Sequence, residues 1–260
     1  MKKSVLLIVA FLLLGIQLFA QKTIRITNGE WEPYLSQYSY KYGLASHIVS
    51  EAFKLENITI EWGFFPWKRS YVLAQKGVWD ASAVWWPSPE TKENFLVSSP
   101  VVKTSFVFFH LKNYKFQWKS MQDVHDQEIG FTRGYDYGKE FMSALKDKKI
   151  NIQVSNSDEL NFKKLLKGRI DIFPNDLLVG SSQIRNNFSD EEAKLFTSHP
   201  KQFSKNTLNL IICKHCENGQ YFLEKFNSGL KKLIKSGRLK QMYKDLYSGK
   251  YDKQKMVWIE

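Results

Sequence analysis

The sequence predicts a two-lobed α/β protein in which each lobe is a mostly parallel sheet flanked by helices, with two strands forming a hinge between the lobes. Three observations carry that expectation. Apolar, β-rich runs alternate with segments of helical period in the order β-α-β-α-β. That order occurs twice, over residues 23–84 and again over residues 128–173. Between and after the two units lie β-branched and aromatic runs at 104–110 and 207–213, which read as strands that leave the first lobe and return to it. Alternating strands and helices build a parallel sheet covered on both faces, so each unit makes its own lobe.

The elements follow in chain order. Lys2 and Lys3 precede an uninterrupted apolar stretch, residues 5–16, then Gln17, Leu18, Phe19 and Ala20, then the polar Gln21 and Lys22. The stretch is shorter than the about 18 apolar residues of a membrane span and ends on a small residue, which reads as a secretory signal peptide cut after Ala20. No Cys follows it to carry a lipid, so a soluble periplasmic protein is expected. The first unit has strand 23–27, helix 44–55, strand 58–62, helix 66–76 and strand 79–84. In its first helix Leu44, Ile48 and Ala52 share one face, and Ala45, Val49 and Phe53 the next. Pro66 suits a first helical position, and Gly77 is the stop. The second unit has strand 128–132, helix 137–148, strand 150–154, helix 158–167 ended by Gly168, and strand 169–173. Helices 218–235 and 238–247 close the chain. Residues 1–20 are thus assigned to the signal, 21–109 and 207–260 to lobe I, and 110–206 to lobe II.

Composition sets bounds on function. The 260 residues are 43% hydrophobic and 15% aromatic, ample for a core, which excludes a disordered or fibrous chain. Two Cys cannot make a disulfide scaffold. A formal charge of +12 would point to nucleic acid through counterion release, but the signal peptide argues against such a partner. Removing Lys2 and Lys3 takes the charge from +12 to +10, with many cations in residues 225–255, where a solvated helix face is the simpler reading. No nucleophile elbow, phosphate loop, dinucleotide fingerprint or H-E-x-x-H occurs, so no catalytic residue or cofactor is expected. The five His are scattered. Cys213-Lys-His-Cys216 is a C-x-x-C without a second ligand pair, so no metal is expected there, and a local disulfide or two reduced thiols both remain open.

Several short motifs carry a family resemblance. They are Gln75-Lys-Gly77-Val-Trp-Asp80, similar to a G-x-x-D before the third strand; Pro87-Ser-Pro-Glu-Thr-Lys92, similar to T-P-E-R; and Phe95-Leu-Val-Ser-Ser-Pro100, similar to F-S-x-P. Leu166-Lys-Gly-Arg-Ile-Asp171 and Leu233-Ile-Lys-Ser-Gly237 follow in the expected order. Together they resemble the bacterial extracellular solute-binding proteins of family 3, the amino-acid type with the type 2 periplasmic binding fold, over about residues 22–247. The resemblance implies a monomer that captures a small polar ligand, amino-acid-like, amine-bearing or aromatic-compatible, by hinge closure. It would deliver the ligand to an ABC-type permease or a receptor in the inner membrane. It also leaves two alternatives: an enzyme on the same scaffold, as in the related cyclohexadienyl dehydratases, and a stand-alone sensor docking through its basic C-terminal helices.

The resemblance and the strand-end rule place the site together. The family's carboxylate-binding Arg of T-P-E-R falls on Thr91 here, which argues against an ordinary α-amino acid. Its amine-binding Asp matches Asp176, and its stacking aromatic matches Tyr34. Independently, ligands of open α/β sheets sit beyond the carboxyl ends of strands, which selects residues 28–34, 64–69, 85–88, 133–136 and 175–176. The ligand-binding candidates are therefore Trp31, Tyr34, Arg69, Trp85, Trp86, Ser88, Arg133, Tyr135 and Asp176. Aromatic walls give large contact area and attract cations, and Arg69 or Arg133 could meet an anion. The enzyme alternative needs a carboxylate of raised pKa, for which Asp176, Asp136, Glu30 and Glu32 are the nearest candidates. Asp80 and Asp171 read as turn or cap residues.

Overall fold

The computed structural model describes residues 22–252; the segment read as a signal peptide lies outside them. The first unit runs β1 (Thr23–Asn28), α1 (Leu44–Lys54), β2 (Thr59–Phe64), α2 (Trp67–Gln75) and β3 (Ala81–Trp85). After α3 (Pro89–Asn94), the 17-residue β4 (Phe95–Leu111) leads into the second unit. That unit contains β5 (Glu128–Thr132), α4 (Lys139–Lys146), β6 (Asn151–Ser155), α5 (Asp158–Leu166) and β7 (Phe173–Asp176). It continues through α6 (Leu177–Asn187), α7 (Asp190–Ala193) and β8 (Phe196–Ser198). β9 (Ser204–Cys213) returns, and α8 (Gly219–Lys235) and α9 (Arg238–Tyr247) pack back on the first unit. Among the described residues no helix is long and apolar enough to cross a membrane.

The main sheet has the order β2-β1-β3-β9-β4-β7, with β8 also on β4. β1 lies between parallel β2 and β3, while β9 is antiparallel to both β3 and β4. β5 and β6 are parallel and join the rest where the Gly130 N–H donates to Ile172 C=O at 2.9 Å. One core gathers Ile24, Ile26, Ile48, Phe53, Leu210, Phe226 and Leu230; the second lobe holds two more, one around Phe108, Phe141 and Ile172 and one around Phe109, Phe162 and Phe173. β4 serves both lobes: Val101 and Val102 belong to the first core, Phe106 and Phe108 to the second.

Both lobes use the same turn. After α2 the chain reverses at Gly77 (φ 70°), and after α5 at Gly168 (φ 62°), positions where a residue without Cβ is favoured. Three residues later, Asp80 Oδ2 accepts the Arg25 N–H of β1 at 2.7 Å, and Asp171 Oδ2 accepts the Glu128 N–H of β5 at 2.8 Å. Each aspartate ties the start of its third strand to the first strand. This explains one departure from the sequence reading: the strand expected at 169–173 forms at Phe173–Asp176 because Asp171 is engaged in the turn. The helix expected at 137–148 begins at Lys139, because Tyr137 is buried with its hydroxyl accepting the Thr132 N–H at 3.0 Å and Gly138 (φ 94°) turns the chain. The run expected at 104–110 extends to Phe95–Leu111 because its first half also pairs with β9.

Cys213 and Cys216 form a disulfide, which decides between the two states the sequence left open. The bridge packs on Gly77, where an added Cβ would lie 2.9 Å from Cys216 Sγ. Elsewhere in lobe I the half-buried Glu56 meets Lys232 at 2.7 Å, Lys225 at 3.3 Å and the Ser228 hydroxyl at 2.8 Å, so part of the C-terminal positive charge is neutralised within the fold.

α1 crosses α8 at Gly229, where any Cβ would overlap the carbonyl oxygen of Ala52. Gly229→Ala should therefore force the helices apart and cost about 1–3 kcal/mol, which lowers Tm by several degrees in a chain of this size. Thermal unfolding reads this directly, and an unchanged Tm would show that the crossing tolerates the methyl group.

Candidate functional site

Two chains of polar contacts cross between the lobes at the carboxyl ends of the strands. The first centres on Asp176, 1% exposed at the end of β7. It caps α6: Oδ1 accepts the Leu178 and Val179 N–H groups at 3.0 and 3.1 Å, as helix N-termini require. Oδ2 accepts the Ser105 N–H of β4 at 2.8 Å, and the Tyr34 hydroxyl of lobe I donates to Oδ1 at 3.3 Å. Burial pushes the Asp176 carboxyl up to about 6, against the pull of these hydrogen bonds. Burial and the neighbouring carboxylate hold the Tyr34 phenol far above its usual range.

The second chain starts at Trp31, whose ring lies 5.1 Å from that of Tyr34. Its indole faces the Tyr135 hydroxyl of lobe II without a hydrogen bond of regular geometry. Tyr135 donates to Asp158 Oδ2 at 3.3 Å, Thr132 donates to Asp158 Oδ1 at 2.6 Å, and Asn161 donates to Thr132 Oγ1 at 3.0 Å. Asn175 lies against the Asp158 carboxylate, although neither of its side-chain polar atoms makes a hydrogen bond of regular geometry. Burial raises the Asp158 carboxyl, and the donors around it offset part of that rise.

Trp86 completes the wall, packing against both lobes' cores with its ring edge-on to Phe106 at 5.9 Å. α6 adds further ties between lobes: Val179 enters the first core, Asn186 donates to Glu32 Oε2 at 2.9 Å, and Arg185 pairs with Asp252 at 2.9 Å.

Of the residues singled out in the sequence, Trp31, Tyr34, Trp86, Tyr135 and Asp176 are thus brought together. The other four lie elsewhere. Trp85 donates to Ser82 Oγ at 2.8 Å and stacks edge-on against Trp67 and Tyr71, beside Phe95. Arg69 is exposed, with its guanidinium over Phe65 at 5.1 Å. Ser88 caps α3, its hydroxyl accepting the Thr91 N–H at 3.1 Å and lying 2.9 Å from Thr91 Oγ1. Thr91, where the resemblance placed an Arg, is therefore the residue that the Ser88 cap holds. Arg133 is exposed on the flank of lobe II and donates to Asn156 Oδ1 at 3.1 Å. Sequence reasoning missed Asp158, Thr132, Asn161 and the contact of Asn175 with Asp158. Ser157-Asp158 reads as an ordinary helix start, but Thr132 ends β5 and falls under the strand-end rule. Cys213, His215 and Cys216 bring ligand atoms within 4.8 Å of one another, yet both sulfurs are committed to the disulfide.

No protein-family model matches the chain, and no curated protein matches it. Solved structures do. An ancestral arginine-binding protein bound to arginine superposes with a TM-score of 0.69 at 18% identity, over 86% of this chain and 98% of that one. A histidine kinase sensor domain with similarity to periplasmic binding proteins gives 0.70 at 14% identity, over 87% and 96%. An ancestral amino-acid-binding protein, a precursor of cyclohexadienyl dehydratase, gives 0.65 at 19% identity, over 86% and 95%. The chain has the two-lobed fold of the periplasmic binding proteins.

Asp176 gives the site a pH signature. Its folded pKa lies above the unfolded value, so between about pH 4 and pH 6 the folded chain keeps a proton that the unfolded chain has released. Its contribution therefore makes stability fall as pH rises through that window. The unfolding free energy of wild type minus that of Asp176→Asn should drop by up to about 3 kcal/mol from pH 4 to pH 6 and be level above pH 7. Denaturant titrations of both proteins across the range measure it, and a flat difference would mean that Asp176 titrates normally.

Proposed function

We propose that this protein captures a small, amine-bearing ligand between its lobes by hinge closure and passes it, unaltered, to a membrane transporter or receptor from the periplasm. The observation that carries this reading is the aromatic wall of Trp31, Tyr34, Trp86 and Tyr135, drawn from both lobes and backed by the carboxylates of Asp158 and Asp176. Aromatic faces and buried carboxylates both favour a cation. Thr91 supplies no guanidinium for an α-carboxylate, so the amine end of the ligand should dominate recognition. The arginine-bound neighbour supports an amine-bearing ligand, and the kinase sensor domain supports a receptor as an alternative recipient.

Closure requires a pivot. We place it where β4 and β9 pass between the cores, at the pairs Lys103–Thr207, Thr104–Asn206 and Ser105–Lys205. Opening there would part Tyr34 from Asp176 and Trp31 from Tyr135, which frees those groups for the ligand. The amino-acid-binding precursor of a dehydratase keeps the enzyme reading in view. Against it, the Asp176 oxygens already accept three backbone N–H groups and a phenol, an arrangement suited to a fixed cap rather than to a proton carrier.

A thermal-shift screen of the mature protein against amino acids, polyamines, small peptides, sugars and aromatic acids tests the proposal. An amine-bearing compound at 100-fold excess over its Kd should add about 2.7 kcal/mol, and so several degrees of Tm. Trp31→Ala and Tyr135→Phe should each weaken that ligand at least about tenfold, as loss of an aromatic or hydrogen-bonding partner does, while the unliganded Tm moves little. Unchanged affinity in both variants would remove this site. Consumption of the ligand would replace binding with catalysis.

A further inference from the structure

A second concave site, which shares no lining residue with the aromatic wall, lies on the flank of lobe II. A pocket of about 430 Å³ runs between β6 and α5. Five cations line it: Arg133 from the end of β5, Lys163, Lys164 and Lys167 from the last turns of α5 and just beyond, and Arg169 from the following turn. No acidic residue lines it, and among the described residues only Lys163 of the five has a carboxylate partner, Glu159. Arg133 and Lys164 lean on neutral oxygens, those of Asn156 and the Val154 carbonyl. Ser155, 7% exposed, also lines the pocket, and its buried hydroxyl has no hydrogen-bond partner.

Three cations near the end of α5 would be explained by the helix dipole alone. Arg133 and Arg169 are not on that helix, and they bring two guanidinium forks to the same hollow. Like charges gathered around one concavity repel and focus a positive potential into it, which an anion relieves. Two planar forks, ammonium point charges and an unpaired hydroxyl donor match the several oxygens of a phosphoryl group. We propose that this pocket binds a phosphorylated anion, as a soluble phosphate ester or as the headgroup of an anionic phospholipid.

The experiment uses inorganic pyrophosphate as the soluble probe, followed by calorimetry on the full mature chain at low and physiological salt. A second arm measures co-sedimentation with vesicles of phosphatidylcholine containing 30% phosphatidylglycerol, against vesicles of phosphatidylcholine alone. The variants are Lys167→Gln with Arg169→Gln, both exposed positions, and a charge-matched control, Lys231→Gln with Lys235→Gln on α8. Pyrophosphate binding that weakens at least tenfold in the pocket variant and not in the control supports the site. The same pattern confined to vesicles identifies a lipid headgroup as the source of the phosphate. Equal loss in both variants, which marks general charge attraction, overturns the proposal, as does the absence of binding in both arms. None of these outcomes depends on the ligand held between the lobes.

Discussion

The antiparallel ladder of β4 against β9 is the constraint on which the rest of the structure depends. Among the described residues it is the only long pairing that belongs to both lobes, and β4 enters one core with its first half and another with its second. β4 must therefore present apolar side chains to two different interiors, which is why Val101 and Val102 give way to Phe106 and Phe108 within a single strand. Between them, Thr104 and Ser105 lie at the passage. The Ser105 N–H, donated to Asp176, connects the ladder to the polar contacts across the lobes.

From that connection the site follows almost mechanically. A carboxylate that caps α6 and also holds β4 cannot move independently of either, so Tyr34 of lobe I meets a fixed acceptor in lobe II. Desolvation raises the cost of its charge, and the surrounding N–H donors limit that cost. Asp158 repeats the pattern on the neighbouring strand ends, with hydroxyl donors in place of backbone ones. The site combines two restrained carboxylates with four aromatic rings, and its geometry is set by secondary structure rather than by loops alone.

Much of this architecture was legible because it rests on local rules. The paired β-α-β-α-β order, the glycine stops after α2 and α5, and the aspartates at positions 80 and 171 are turn and period signals, and the structure uses them as such. At the site, Trp31, Tyr34, Trp86, Tyr135 and Asp176 were reachable because strand ends are legible. The direction a side chain takes from a strand end is not. Trp85 and Trp86 are adjacent, yet one packs inside lobe I and the other between lobes, a choice made by tertiary packing. Asp158 was hidden for the converse reason: a helix-start aspartate normally faces water, and only the fold turns this one inward.

The position of β9 has a consequence for how the chain comes to be. It lies between β3 and β4, so the central sheet keeps an open slot until residue 213 exists. The second lobe suffers no such delay, since β5, β6 and β7 with their helices arise from one continuous segment. As the chain emerges, lobe II can condense early on short-range contacts, while lobe I must wait with β3 and β4 unzipped and α1 uncovered by α8. The topology thus favours assembly from the middle of the sequence outward, with the last strand to arrive joining β3 to β4.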